Sequence, residues 1–153
     1  MPHIKIYVHL VFTTKNRQPL LATKDVRQKV WRHILENARN KGIFVEFVNG
    51  YKDHCHCLIS MGAEQKLTEI VKLIKGESSH WINSNGILKE VLPMEYQQKK
   101  FAWQNDYFAV SVSESILDRV RNYIKNQEVH HEKKTFQQEY DAFIKAYGFE
   151  KTN

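Results

Sequence analysis

The strongest constraint on the fold of this chain is a stretch near its start in which every second residue is apolar. Ile4, Ile6, Val8, Leu10 and Phe12 alternate with Lys5, Tyr7, His9 and Thr13, the period of two that marks a strand with one buried face. A second strand is expected over Ile43 to Val48 and a third over His54 to Met61, joined by a turn at Asn49-Gly50 into an antiparallel hairpin. A fourth is expected over Phe101 to Val112. Between the strands the period changes to that of a helix. Thr23-Lys24-Asp25 opens one with Val26, Val30, Ile34 and Ala38 on a single face, and Gly42 stops it. Lys66 to Trp81 carries Leu67, Ile70, Val71 and Ile74 at similar spacing and is broken by Asn83-Ser84-Asn85-Gly86. Residues 87 to 100 read as a loop.

Two further helices follow the fourth strand. Ser113 is placed to cap the first, which carries Ile116, Leu117, Val120 and Ile124. Thr135-Phe136-Gln137-Gln138 has the form of a capping box and opens the second, expected to bury Phe136, Tyr140, Phe143 and Ile144 and to end at Gly148. The order strand, helix, strand, strand, helix, strand is that of an α+β, ferredoxin-like fold (split βαβ, RRM-like). Its antiparallel sheet has helices on one face, and here two C-terminal helices are added. A length of 153 residues suits one domain spanning 1–153.

The formal charge of +6 favours a polyanionic partner. Cys55 and Cys57 lie two apart on the third strand, on the same side but too distant for a relaxed disulfide. Reduced cysteines, together with no apolar run near the roughly 18 residues of a membrane helix, point to a cytoplasmic protein without a membrane partner.

Two groups of residues carry chemistry. On the third strand His54 and His56 project from one face, spaced so that both imidazoles reach one ion, while Cys55, Cys57 and Ile59 project towards the covering helices. The same pattern, taken alone, also suits a polar face exposed to water. Tyr123 and Gln127 are four apart on an expected helix and so lie on one side of it. A tyrosine there is an ordinary packing residue, yet a phenol also serves as a covalent nucleophile.

Together these groups give the chain its resemblance. It resembles the HUH-type single-tyrosine transposases of the insertion-sequence 200/605 kind and their REP-associated relatives. The matching segments are His9 to Arg17, Asp53 to Ile59, Phe101 to Gln104, Phe108 to Ser113, Tyr123 to His131 and Thr135 to Tyr140, in order along nearly the whole chain. The resemblance implies that His54 and His56 bind a divalent metal, Mg²⁺ or Mn²⁺. It further implies that Gln127 completes the site and that Tyr123 attacks a phosphodiester to form a 5′-phosphotyrosine. The middle residue of the HUH motif, bulky and apolar in most members, is here Cys55, a small hydrophobe that fits the same buried role.

The implied activity is that of a DNA transposase, a single-strand endonuclease and strand transferase acting on hairpin-ended DNA. The implied assembly is a homodimer, with Tyr123 working in cis or in trans. Lys15, Arg17, Lys72, Lys75, Lys99 and Lys100 are available for phosphate contacts, and Trp81, Trp103 and Tyr107 for base stacking. His9, His130 and His131 are read as supporting or structural residues. Two other functions fit parts of the pattern. One is a non-catalytic ferredoxin-like nucleic-acid-binding module. The other is a metal phosphodiesterase that uses water as its nucleophile.

Overall fold

The computed structural model describes residues 3–92, 100–131 and 134–146. Four strands, β1 (Ile6–Thr13), β2 (Phe44–Tyr51), β3 (His54–Met61) and β4 (Phe108–Val112), form one antiparallel sheet in the order β2-β3-β1-β4. Helices α1 (Lys24–Asn40) and α2 (Leu67–Ser84) connect them as the sequence pattern predicts. This is the expected α+β ferredoxin-like arrangement. Three short helices follow β4 where two were expected: α3 (Leu117–Lys125), α4 (Gln127–His131) and α5 (Phe136–Ala146).

Alternation along β1 and β3 sorts the side chains into two layers. Leu10 and Phe12 of β1 and Cys55, Cys57 and Ile59 of β3 pack against Val30, Ile34 and Ala38 of α1 and Ile70, Val71 and Ile74 of α2. The two thiols are free and buried, with their sulfurs 3.8 Å apart. On the opposite face Leu58 packs with Val112, Leu117, Val120 and Ile124, which seats α3 on the sheet. The central strand β3 therefore has core on both sides.

The local signals that start and stop the helices work largely as read. The Thr23 side chain accepts from the Val26 N–H and caps α1, and Gly42 leaves the helix at φ +80°, a conformation that favours glycine. The capping box of α5 is formed, since Gln138 N–H donates to Thr135 Oγ1 at 3.2 Å and Thr135 N–H to Gln138 Oε1 at 2.9 Å.

Four expectations change. The hairpin turn is Lys52-Asp53, not Asn49-Gly50, because β2 continues to Tyr51, paired with His54. Gly50 is instead needed for close approach, as a Cβ there would lie 2.1 Å from the His54 carbonyl oxygen. The fourth strand is shorter than Phe101 to Val112. Only Trp103 pairs upstream of Phe108, in an isolated bridge to Thr14. Its indole N–H turns inward to Ser78 Oγ at 2.9 Å, and the Lys75 ammonium donates to the carbonyls of Gln104, Asn105 and Asp106, which occupies the backbone between this bridge and β4. Ser113 makes no side-chain cap, and a 3₁₀ turn over Glu114–Ile116 precedes α3. Finally, the C-terminal helical segment breaks at Asn126, which separates α3 from α4. The roles given to Phe143, Ile144, Gly148 and Lys99 lie outside the described residues and side chains.

Because Leu58 is fully buried on the face that carries α3, Leu58→Ala should lower unfolding free energy by about 2–5 kcal/mol. Ile6→Ala, at a half-exposed position, should stay within about 0.5 kcal/mol. Urea denaturation of both variants checks this ordering.

Candidate metal centre

His54 and His56 point from β3 to the face covered by the C-terminal helices, and both are fully buried rather than exposed. Gln127, the first residue of α4, is equally buried, and its amide oxygen lies 3.1 Å from His54 Nε2. Tyr123 stands at the end of α3 with its ring 5.7 Å from that of His56 and 5.3 Å from that of His130. All four residues singled out in the sequence thus meet within one chain. Tyr123 and Gln127 do so across the helix break, held by a Gln127 N–H contact to the Tyr123 carbonyl at 3.4 Å.

Sequence reasoning missed the group at the centre of this cluster. Glu139 of α5 is 2% exposed and lies among imidazoles. Its Oε1 is 2.8 Å from His56 Nε2 and 3.8 Å from His54 Nε2, and its Oε2 is 2.7 Å from His131 Nε2 and 3.3 Å from His130 Nε2. Burial alone would raise its pKa. Hydrogen bonds from His131 and His56, with the charges of His56 and His54, outweigh burial and hold the carboxyl well below the usual range. A glutamate in the first turn of a capped helix already has an explanation in the helix dipole, so the sequence gives it no separate signal. His131 lies at no regular spacing from His54 and becomes visible only through the tertiary fold.

The imidazoles are oriented by partners behind them. Asp53 Oδ1 lies 2.8 Å from His54 Nδ1, and the Lys134 carbonyl 2.7 Å from His131 Nδ1. His9 Nε2 lies 2.8 Å from His56 Nδ1, with the two rings stacked at 5.0 Å. Burial lowers the pKa of His9 to about 3, with His56 adding to the effect, and burial lowers that of His56 to about 4. The proton between them can sit on either ring.

A count of protons tests whether these residues suit a metal. A neutral imidazole carries one N–H. At His131 the Lys134 carbonyl takes the Nδ1 proton, which turns Nε2 to the Glu139 carboxylate. At His54 Asp53 takes it, which leaves Nε2 facing the oxygens of Gln127 and Glu139. The centre thus gathers nitrogen and oxygen donors that a bound cation could share. Donor atoms of His54, His131 and Glu139 all lie within 4.8 Å of one another. Nitrogen and oxygen donors that converge in this way, each fixed by an outer partner, suit a divalent cation.

Helix α4 is tied to the far side of the molecule by charge. The Arg27 guanidinium of α1 makes a two-pronged contact with the Glu128 carboxylate, at 2.8 and 2.9 Å, and also donates to the Leu21 carbonyl. Asn49 of β2 donates to the Ile124 carbonyl at the end of α3.

A family model described as "Transposase IS200 like" matches residues 3–127 of the chain. The chain belongs to that family. Its general function is that of a HUH-type nuclease or transposase, with a His54, His131 and Glu139 cluster suited to a divalent metal. No curated protein is significantly similar to it in sequence. Two solved structures share its fold. A candidate transposase from Deinococcus radiodurans R1 is 23% identical, with a TM-score of 0.60 over 82% of this chain and 93% of the other. A REP-associated tyrosine transposase bound to a REP hairpin is 18% identical, with a TM-score of 0.56 over 86% of this chain and 72% of the other.

Other residues picked out in the sequence serve locally. Trp103 is buried, and Trp81 stacks on His33 at 3.9 Å between ring centres. Burial lowers the pKa of Lys75, whose ammonium is spent on backbone carbonyls. Tyr107, Lys15, Arg17, Lys72 and Lys100 are exposed. Among the described residues no helix is long and apolar enough to cross a membrane.

The Arg27–Glu128 pair is the clearest tie on α4, so a double-mutant cycle over Arg27→Ala and Glu128→Ala should give a coupling of about 1–2 kcal/mol in urea unfolding. A coupling near zero would show that α4 is held by its histidines and glutamine alone.

Proposed function

We propose that the chain is a metal-dependent transposase that nicks and rejoins single-stranded hairpin DNA, with Tyr123 as nucleophile and His54, His56 and Gln127 holding the divalent metal, Mg²⁺ or Mn²⁺. The observation that carries this reading is the meeting of Tyr123 with His56 in the same chain, beside a Gln127 oxygen directed at His54. A bound cation supplies Lewis-acid polarisation of the scissile phosphate. The phenol oxygen of Tyr123 forms a bond to phosphorus as the bond to the 3′-oxygen breaks. The departing oxygen takes up a proton and becomes a 3′-hydroxyl, balancing the proton lost by the phenol. The resulting 5′-phosphotyrosine keeps the phosphodiester energy, so a second 3′-hydroxyl can reverse the step without a nucleotide cofactor.

His9 keeps the His56 ring in place, and Asp53 does the same for His54. Tyr123 lies beside its own chain's histidines, which favours attack in cis within a homodimer. The net charge of +6 suits DNA, and the REP-associated relative was solved with a REP hairpin. Helices α4 and α5 cover the histidines. We place this activity in the cytoplasm, in a single HUH domain spanning 1–153.

With labelled single-stranded hairpin DNA and Mn²⁺, the wild-type chain should form a protein–DNA adduct that survives denaturant. EDTA should abolish it, and Tyr123→Phe should reduce it by about a thousandfold or more while DNA binding persists. Cleavage that survives Tyr123→Phe without an adduct would assign a hydrolase. Binding without cleavage on every hairpin tested would assign a binding module.

A further inference from the structure

The family match ends at Gln127. Yet two of the three residues in the tightest donor cluster, His131 and Glu139, come after it, on α4 and α5. We infer that His131 and Glu139 complete the metal site with His54 and His56, so that a first-row transition metal is preferred over Mg²⁺ and its binding seats α5 on the sheet. This deepens the metal-site reading given above and rests on it.

Three observations lead here. The first is spacing. The Glu139 oxygens lie 2.7 to 3.8 Å from the Nε2 atoms of His131, His56 and His54. Neighbouring ligands around one ion, each about 2.1 Å from it, stand roughly 3 Å apart. Small movements would therefore convert the contacts among His54, His131 and Glu139, whose donor atoms all lie within 4.8 Å of one another, into metal bonds, with His56 joining through Glu139 Oε1. The second is orientation. The outer nitrogens of His54 and His131 face Asp53 and the Lys134 carbonyl, which turns both Nε2 atoms towards the centre. His56 is held likewise, with Nδ1 on His9 and Nε2 facing Glu139 Oε1. The third is donor chemistry. Three imidazoles and one carboxylate suit Mn²⁺ and its neighbours, whereas Mg²⁺ favours oxygen ligands and keeps its water.

The link to α5 follows from chain connectivity. Glu139 lies in the first turns of α5, next to Phe136, whose ring packs 4.6 Å from that of His54. An ion held by β3 on one side and by Glu139 on the other joins sheet and helix directly.

The test uses the full chain. Calorimetric titration with Mn²⁺ is compared with Mg²⁺, and amide hydrogen exchange of residues 134–146 is followed with and without Mn²⁺. We expect Mn²⁺ to bind at least about tenfold more tightly than Mg²⁺ and to slow exchange across α5. We expect Glu139→Gln, which keeps the shape of the side chain, and His131→Ala each to weaken Mn²⁺ binding about tenfold or more. Unchanged exchange on the wild-type chain overturns the inference without recourse to any variant. So does wild-type affinity in Glu139→Gln while His54→Ala loses binding, and in that case the metal-site reading still stands. If His54→Ala also binds Mn²⁺ as the wild type does, that reading fails as well.

Discussion

Strand β3 is buried on both faces, and its alternating side chains meet that constraint in two different ways. Cys55, Cys57 and Ile59 enter an apolar layer under α1 and α2, where burial needs no partner. His54 and His56 enter the opposite layer, where each polar nitrogen must find a proton or an acceptor. The C-terminal helices supply what those nitrogens need. Gln127, His131 and Glu139 converge on them, and Leu58 in the same row anchors α3 through apolar contact. The position of each of the last three helices can be traced to what β3 presents to it.

A carboxylate so deeply buried is tolerated only when it is neutralised locally. Glu139 achieves this with four imidazoles, and in return it fixes their rings from the side away from Asp53, His9 and the Lys134 carbonyl. The result is a preorganised shell whose outer layer is as well defined as its inner one. Preorganisation of this kind suits a cluster of histidines and a carboxylate to a divalent cation.

The element order could be read from the sequence because each strand and helix carries its own period, and the capping box of α5 because its four residues act locally. The misread features depend on distant partners. Asn49-Gly50 has the composition of a turn, but Asn49 is drawn to α3 and Gly50 lets the His54 carbonyl approach, so the turn moves to Lys52-Asp53. The strand expected from Phe101 shortens because Trp103 finds Ser78 and Lys75 gathers three carbonyls. His54 and His56 were legible as a pair through strand alternation. Their burial was not, and neither was the convergence of His131 and Glu139, which no spacing along the chain encodes.

The tight approach at Gly50 bears on which sequences can encode this fold. A side chain there would collide with backbone, the carbonyl of His54, and backbone has no rotamer through which to yield. Relief would have to come from spreading β2 from β3 at the residue that begins the histidine pair. Position 50 offers no side-chain chemistry of its own. It should nevertheless vary as little through descent as the histidines, because a substitution there would displace one of them.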